Sequence, residues 1–221
     1  MVRHGEAGRG KAWVFPPIRL QSGGRVFQRR AKGINVNIIK LKMKAICPML
    51  MHSDRFANPL DPLTKAHKEL TAKRKKTDAD HEAIAKSEWL GGMYFEDGVG
   101  PYMPGVNVDA ALVGGAKLQK LGTKFKSAVM VVEDQLPIVY EGPRTLDALF
   151  SDGRFTDCRS VKVQTAKLMR YRPKFNHWAL SVTVAYNEEA VNNAEVLKAA
   201  EDAGRMCGIG DFRPRFGKFT V

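Results

Sequence analysis

The sequence predicts an α+β fold, with an antiparallel sheet that carries its helices on one face. Along the chain the order of elements is a strand, helices, two strand pairs, a helix and a last strand. Strands joined by short turns pair antiparallel, and a helix with one narrow apolar side packs against one face of such a sheet. The 221 residues suffice for one large domain, or for a domain with an extension.

Residues 1–42 are predicted to form a basic arm that precedes the folded domain. They contain ten Lys and Arg residues against one acid, Glu6, and so carry most of the net charge of +13. Their glycines, prolines and isolated aromatic residues follow no sustained period, as is typical of disordered basic arms. An over-extended start is the open alternative, with Met43 as the true first residue. The folded domain is therefore predicted to span 43–221.

This domain is predicted to begin with a strand in the run KAICPMLMHS, followed by a helical insertion at about 55–100. Thr64 and Thr77 are expected to cap two helices in the insertion, because a side-chain hydroxyl there accepts a free backbone amide. A third helix is expected to begin at Asn107 or Val108. Its two adjacent glycines lower its helix propensity.

Two β-hairpins are predicted in the second half of the chain. The first joins KSAVMVV and QLPIVY around Glu133-Asp134, and the second joins RSVKVQTAKLMRYR and HWALSVTVAY around Pro173. Apolar residues alternate with small or polar ones in HWALSVTVAY, so one face of this strand is predicted to be buried. Asn187 is then expected to cap a last helix, Gly208 to end it, and GKFTV to form the final strand.

Composition excludes several classes of protein. No run of eighteen apolar residues is present, so no transmembrane helix is predicted. The three cysteines, Cys47, Cys158 and Cys207, are scattered and lack the spacing of a metal site, which favours a reducing, cytoplasmic location. No nucleotide-binding loop, serine triad or paired-carboxylate motif appears, and no cofactor or metal is expected. The positive charge predicts a polyanionic partner, most often nucleic acid.

A basic stretch in the second predicted hairpin is the first candidate for a nucleic-acid contact. It holds six cations within sixteen residues and no acid among them. Like charges that face each other destabilise a sheet, so a bound polyanion is one reason for such a stretch, and a solvated surface is the other. The six residues are Arg159, Lys162, Lys167, Arg170, Arg172 and Lys174.

The glycine-rich stretch GIGDFRPRFGKF, near the C-terminus, is the second candidate. Gly208 and Gly210 permit positive φ angles, so successive amides could form a concave nest for an anion. Arg213, Arg215 and Lys218 add positive charge, and the phenylalanines could stack on bases. The alternative is a plain helix cap followed by an edge strand.

The third candidate is the stretch PYMPGVNVDAALVGGAK. Here a Pro-Gly turn leads into a helix whose first amides are free to bind an anion, and Lys117 follows further along. A simple junction of loop and helix is the alternative interpretation.

Two of these stretches resemble motifs of one known family. GIGDFRPRFGKF follows a helix near the C-terminus, as does the glycine-rich signature of the RAMP superfamily, the RNA-binding backbone and processing proteins of CRISPR complexes. YMPGVNVDAALVGGAK resembles that family's I-P-G-S-S-L-K-G-A-L-R segment. Asn107 and Asp109 depart from the serine and lysine of the family pattern, and the final basic residue falls late. The residues that match or lie near a match are Pro104, Gly105, Val108, Ala111, Leu112 and Lys117.

The resemblance implies an RRM/ferredoxin-like domain that binds single-stranded nucleic acid, preferably RNA, through its backbone. The backbone-subunit branch of the family fits better than the nuclease branch. The protein is accordingly expected to oligomerise along its ligand or to join a ribonucleoprotein, as a divergent, solitary relative from a phage or mobile element. RNA and DNA both remain possible ligands.

Two other functions remain open. A phage or bacterial structural protein would use a basic arm to reach a neighbouring subunit. An endoribonuclease would need catalytic residues, for which His52 and Asp54 are the weak candidates, just after the first strand. Some members of the resembled family place a general acid or a cleaving aspartate in this region. A histidine transfers protons near neutral pH, and an aspartate orients water or a metal.

Overall fold

The computed structural model describes residues 29–31, 34–163 and 166–221, and its elements confirm the predicted α+β class. The strands are β1 (Arg29–Ala31), β2 (Ile34–Ala45), β3 (Met49–Leu50), β4 (Phe95–Glu96), β5 (Gly100–Pro104), β6 (Val129–Val131), β7 (Gln135–Pro137), β8 (Thr156–Val163), β9 (Ala166–Phe175), β10 (Ala179–Asn187) and β11 (Phe219–Thr220). The helices are α1 (Pro62–Ala72), α2 (Asp78–Gly92), α3 (Gly105–Leu118), α4 (Gly122–Ala128), α5 (Leu146–Ser151) and α6 (Asn193–Asp202).

The main sheet has five strands that all pair antiparallel. β2 pairs with β10 on one side and with both β1 and β11 on the other, and β6 pairs with the far side of β10. Taken with the two main helices, the chain order is β2, α3, β6, β10, α6 and β11. In the sheet, β11 lies beside β2, and β10 lies between β2 and β6. This is the ferredoxin-like arrangement.

The helices cover one face of this sheet, as predicted. Leu180, Val182, Val184 and Tyr186 of β10 are all buried, which confirms the expected alternation in HWALSVTVAY. α3 and α6 pack on this face through small residues. A Cβ atom on Gly115 would lie 2.0 Å from the Ala199 carbonyl oxygen, so the two helix backbones approach closely.

Two smaller sheets are attached to the main one. One has the order β3-β9-β8 and is dominated by the β8/β9 hairpin, and the other has the order β4-β5-β7. The insertion expected at about 55–100 contains α1 and α2, and α2 packs against β9. Asp61 rather than Thr64 caps α1, while Thr77 caps α2 as predicted, in a capping box. Among the described residues, no helix is long and apolar enough to cross a membrane.

The predicted domain boundary between residues 42 and 43 is wrong. β2 crosses this boundary, and Val36 to Lys44 are paired one to one with β10. Residues 34–42 therefore belong to the central strand of the sheet and not to an arm. The pattern Lys-Leu-Lys-Met-Lys at its end already alternates like a strand. The rest of the predicted arm lies outside the described residues, except Arg29–Ala31, which form β1.

Both predicted hairpins are wrong in their pairing, although their strands exist. β6 pairs with β10 and β7 pairs with β5, so the two strands around Glu133-Asp134 are not partners. The second hairpin closes between β8 and β9, and Pro173 lies within β9. α6 is capped by Asn192 instead of Asn187, which forms a turn. Spacing along the chain reveals a strand but does not reveal a distant partner, which explains these errors.

The position of β2 predicts the result of an N-terminal truncation. A protein that starts at Met43 lacks most of the central strand, so it should lose cooperative unfolding in a urea titration monitored by circular dichroism. A protein that starts at Arg29 keeps every described strand and is the control. Equal behaviour of the two truncated proteins would contradict this role of β2.

A second prediction concerns His67, which joins α1 to α2. Its ring stacks on Phe56 at 4.6 Å between centroids, and its Nδ1 lies 3.1 Å from the Ser87 hydroxyl oxygen. Burial lowers the pKa of His67 below its usual 6.5; the Glu88 carboxylate opposes this shift and Arg170 adds to it. The unfolded chain therefore binds the proton more readily than the folded one.

The free energy of unfolding should consequently fall as the pH drops below 6.5, since protonation then favours the unfolded chain. His67→Gln removes this titration and should lose less stability than the wild type between about pH 7.5 and about pH 5.5. Urea unfolding of both proteins at the two pH values measures the difference. An identical loss in both would show that His67 does not contribute.

Candidate nucleic-acid interface

The glycine-rich loop is built into the fold as an extra strand-like segment beside β3. The amide of Asp211 donates to the Leu50 carbonyl oxygen over 2.8 Å, and the amide of Gly217 donates to the Pro48 carbonyl oxygen over 2.8 Å. Gly208 and Gly210 have φ angles of 72° and 79°, as expected for these positions. A Cβ atom on Gly210 would lie 2.3 Å from the Leu50 carbonyl oxygen, so this glycine is required for the close approach of the two backbones.

The predicted anion nest at Gly208 and Gly210 is wrong. The amide of Gly208 donates to the Ala203 carbonyl oxygen, and the amide of Ile209 donates to the Gly217 carbonyl oxygen. With the Asp211 amide also bonded inside the protein, no run of free amides remains around these glycines. Gly208 does end the helical segment, as predicted, through a π-helical turn at Ala203–Cys207.

Two arginines of the β8/β9 hairpin hold the hairpin against this loop. The Arg159 guanidinium lies over the rings of Phe216 and Phe212, at 4.5 and 5.2 Å from their centroids. Arg172 lies over Phe212 at 5.7 Å, and its Nε is 2.6 Å from the Asp211 carboxylate. The contact with Asp211 is electrostatic, because its geometry is not that of an aligned hydrogen bond. The first two candidate stretches, far apart in the sequence, thus form one surface.

Three of the predicted cations are neutralised inside the protein. Arg159 pairs with Asp157, Arg170 with Glu88 of α2, and Arg172 with Asp211 of the loop. Residues 159–174 indeed contain no acid. The acidic partners come from Asp157, just before this stretch, and from Glu88 and Asp211, which the fold brings near. These arginines therefore position the hairpin, and the case for a polyanion depends on the other cations.

Seven predicted cations have no acidic partner within 4.0 Å among the described residues. Five of them lie in the glycine-rich loop or beside it, two lie further out along the hairpin, and all seven are called the free cations below. Lys162 and Lys167 are exposed and face each other in register, about 10 Å along β8 from Arg159. The full set is Lys117, Lys162, Lys167, Lys174, Arg213, Arg215 and Lys218.

An open cleft of about 520 Å³ lies where the loop meets the end of the π-helical turn. It is lined by Met206, Cys207 and residues 210–214. Lys117 and Arg213 both lie close enough to Cys207 to lower the pKa of its thiol, although burial has the larger effect and raises it overall. Lys117 of the third stretch is thereby brought beside the loop. The cleft combines cations with exposed apolar surface from Met206 and Phe212.

One of the first amides of α3, which were predicted to be free for an anion, is bonded inside the protein. The helix begins at Gly105, whose amide donates to the Asp134 carbonyl oxygen, and a Cβ atom there would lie 2.1 Å from the Glu133 carbonyl oxygen. The Asp109 carboxylate accepts the Val131 amide over 2.7 Å, and burial raises its pKa. Backbone oxygens of Glu133 and Asp134 therefore lie against the first residue of this helix. Asp109, where the family pattern has lysine, links α3 to β6.

His52 and Asp54 are both exposed in the segment that follows β3. In the described structure neither side chain makes a hydrogen bond, and the 3₁₀ turn that begins beside Asp54 is not capped by its carboxylate. The described residues contain no group of three or more His, Cys, Asp or Glu side chains that could hold a metal ion. The two residues are therefore neighbours on the surface without a third group to orient them.

Sequence reasoning missed a row of three lysines on β2, namely Lys40, Lys42 and Lys44. All three are exposed on the face of the main sheet opposite the helices. Two of them fall within the predicted arm of residues 1–42, where no strand is expected, so their alternation with Leu41 and Met43 escapes notice.

Comparisons with known proteins do not assign the chain to a family. No protein-family model matches it, and no curated protein sequence matches it. The resemblance to the RAMP superfamily therefore rests on the two motifs and stays a prediction.

The packing of Gly210 predicts a large loss of stability on substitution. Gly210→Ala combines a strained positive φ with a clash against Leu50, so it should lower the free energy of unfolding by roughly 2–4 kcal/mol. Gly98 has a similar φ of 87° but no atom within 4 Å of the added Cβ, so Gly98→Ala should cost about 1 kcal/mol. Chemical denaturation compares the two. Equal losses would mean that the contact with β3 is unimportant.

Proposed function

We propose that the protein binds single-stranded nucleic acid, preferably RNA, by contacting its phosphate backbone. One observation carries the proposal: five of the seven free cations lie in the glycine-rich loop or beside it, where the β8/β9 hairpin contacts it, and Lys162 and Lys167 extend the positive charge along the hairpin. Three arginines in the same region are paired with acids, whereas the free cations have no acidic partner among the described residues. Free cations on a surface otherwise held by ion pairs suit a partner that supplies negative charge.

The arrangement favours contacts to phosphates over contacts to base edges. Exposed lysines and arginines on a hairpin and a loop reach phosphates from several directions, and such contacts carry no sequence information. Exposed Phe212 and the cleft beside it offer a place where a base could stack. The expected binding is therefore tolerant of sequence and sensitive to salt.

The preference for RNA and the oligomeric role come from the resemblance to the RAMP superfamily. The ferredoxin-like strand order supports this relationship, since the family has RRM-like folds, but many unrelated proteins share that order. On this proposal several copies would assemble along one strand, as CRISPR-type backbone subunits do. A phage or bacterial structural protein would instead assemble without nucleic acid.

The exposed arginines of the loop provide the sharpest test. In the described structure Arg213 and Arg215 pair with no acid and lie outside the core, so Arg213→Ala with Arg215→Ala should leave the melting temperature nearly unchanged. Affinity for labelled oligouridine should fall about 30-fold or more, since each charge-assisted contact is worth about 1–3 kcal/mol. Lys65→Ala with Lys68→Ala on α1 removes the same charge elsewhere and is the control.

The salt dependence provides a second measure of the same contacts. If all seven free cations bind phosphates, the logarithm of the binding constant should fall with the logarithm of the salt concentration with a slope of about −5. A wild-type slope flatter than about −2 would contradict backbone binding. So would a double arginine variant that binds like the α1 control. An oligomer that forms equally well after nuclease treatment would favour the assembly protein.

A further inference from the structure

Within the described residues, no helix covers one of the two faces of the main sheet, and this face is called the open face here. Along β2, alternate residues point away from the helices, and their neighbours in register on β10 and β6 point the same way. The described residues on it include Val36, Ile38, Lys40, Lys42, Lys44, Met130, Ala179, Ser181, Thr183, Ala185, Asn187 and Thr220. Most of the β10 residues here are small, so the centre of the face is shallow and reachable.

Positive charge on the open face has no acidic counterpart among the described residues. Lys40, Lys42 and Lys44 recur at every second residue of β2, which spaces them about 6.7 Å apart along the strand. None of them is within 4.0 Å of an acid in the described structure. The Glu133 carboxylate, beyond the end of β6, accepts the amide of Thr183 over 3.0 Å and is not paired with a lysine of this row.

The lysine row ends next to the glycine-rich loop. Lys44 is paired with Thr220 of β11, two residues after Lys218, and the Ile46 amide donates to the Lys218 carbonyl oxygen over 2.8 Å. The row therefore continues into the set of free cations around the loop. A polyanion bound at the loop would reach all three lysines if it extended along β2 from Lys44 to Lys40, a distance of four residues of the strand.

The charge and the small side chains of the open face favour one kind of binding partner over the others that an exposed sheet could bind. A second copy docked face to face in a symmetric dimer would place the same face, and the same lysines, against itself, which is unfavourable. No aromatic side chain lies on the described part of the open face, so bases have no stacking platform of the kind that RRM sheets use. Evenly spaced cations beside small residues suit the regular phosphates of an extended strand.

We propose that the open face, through Lys40, Lys42 and Lys44, holds the backbone of the same single-stranded nucleic acid that binds the loop. This inference rests on the proposed function and extends its footprint from the loop onto the sheet. The lysines contact successive phosphates, while sugars lie over Ser181, Thr183 and Ala185. Because base edges are not contacted, the added affinity is independent of sequence and of base identity.

The test is the triple variant Lys40→Gln, Lys42→Gln and Lys44→Gln, measured with labelled oligouridine and oligodeoxythymidine. Because this variant removes three cations that bind phosphates, the slope of log affinity against log salt should become shallower by about 2, and affinity should fall about 10-fold or more at low salt. The matched control is Lys65→Gln, Lys68→Gln and Lys75→Gln, which removes three exposed lysines of the insertion. It should keep most of the wild-type slope.

Two further variants separate the effect of charge from an effect on folding. A triple arginine variant at positions 40, 42 and 44 retains the charge and should bind like the wild type. Lys42→Gln alone, which leaves two lysines in place, should reduce the slope by about 0.7. If the triple glutamine variant does not fold, this single variant decides the question, and an unchanged slope would overturn the inference.

The outcomes distinguish this inference from the proposed function. If the triple glutamine variant binds like its control while the double arginine variant of the loop loses affinity, the sheet has no role and the loop site stands. If the wild type binds neither oligonucleotide, both proposals fail. If the triple variant changes the oligomeric state of nuclease-treated protein and leaves affinity unchanged, the open face is an interface between copies and the inference is overturned.

Discussion

The antiparallel pairing of β2 with β10 is the interaction on which the rest of the structure depends. Its register places Leu41 and Met43 on the same face as Leu180 and Val182, which creates the apolar surface that α3 and α6 cover. The same register turns the lysines of β2 to the opposite face. β2 also holds β11, and so fixes where the glycine-rich loop ends. Core, open face and loop position therefore follow from one pair of strands.

The arginines at the junction of hairpin and loop fall into two groups. Arg159 and Arg172 are held between aromatic rings and carboxylates, contacts worth about 1 kcal/mol or more each, so they fix the geometry. Arg213 and Arg215 are exposed in the same loop, and neither has an acidic partner within 4.0 Å in the described part of the chain. A ligand that meets a positioned surface does not have to order it, which lowers the cost of binding.

Much of the fold was predictable because it depends on neighbours along the chain. The capping box at Thr77, the alternation of β10 and the glycine at the end of the last helical segment all involve residues a few positions apart. For the candidate site, the sequence identified the cations of the hairpin and loop by type. It did not separate the free cations from those that pair with Asp157, Glu88 or Asp211.

Local patterns in the chain were enough to establish the α+β class, most strands and helices, and the presence of a basic loop, since propensity and capping act within a few residues. Three matters required the folded chain: the pairing of β2 with β10, the neutralisation of Arg170 and Arg172 by distant acids, and the exposure of the lysine row. The partners in these interactions are far apart in the sequence. Arg172 and Asp211 are about forty positions apart, and the other pairs are about eighty positions apart or more. Strands and ion pairs can join residues that are distant in the sequence. The spacing of residues along a short stretch of chain therefore does not indicate which partner each one will have.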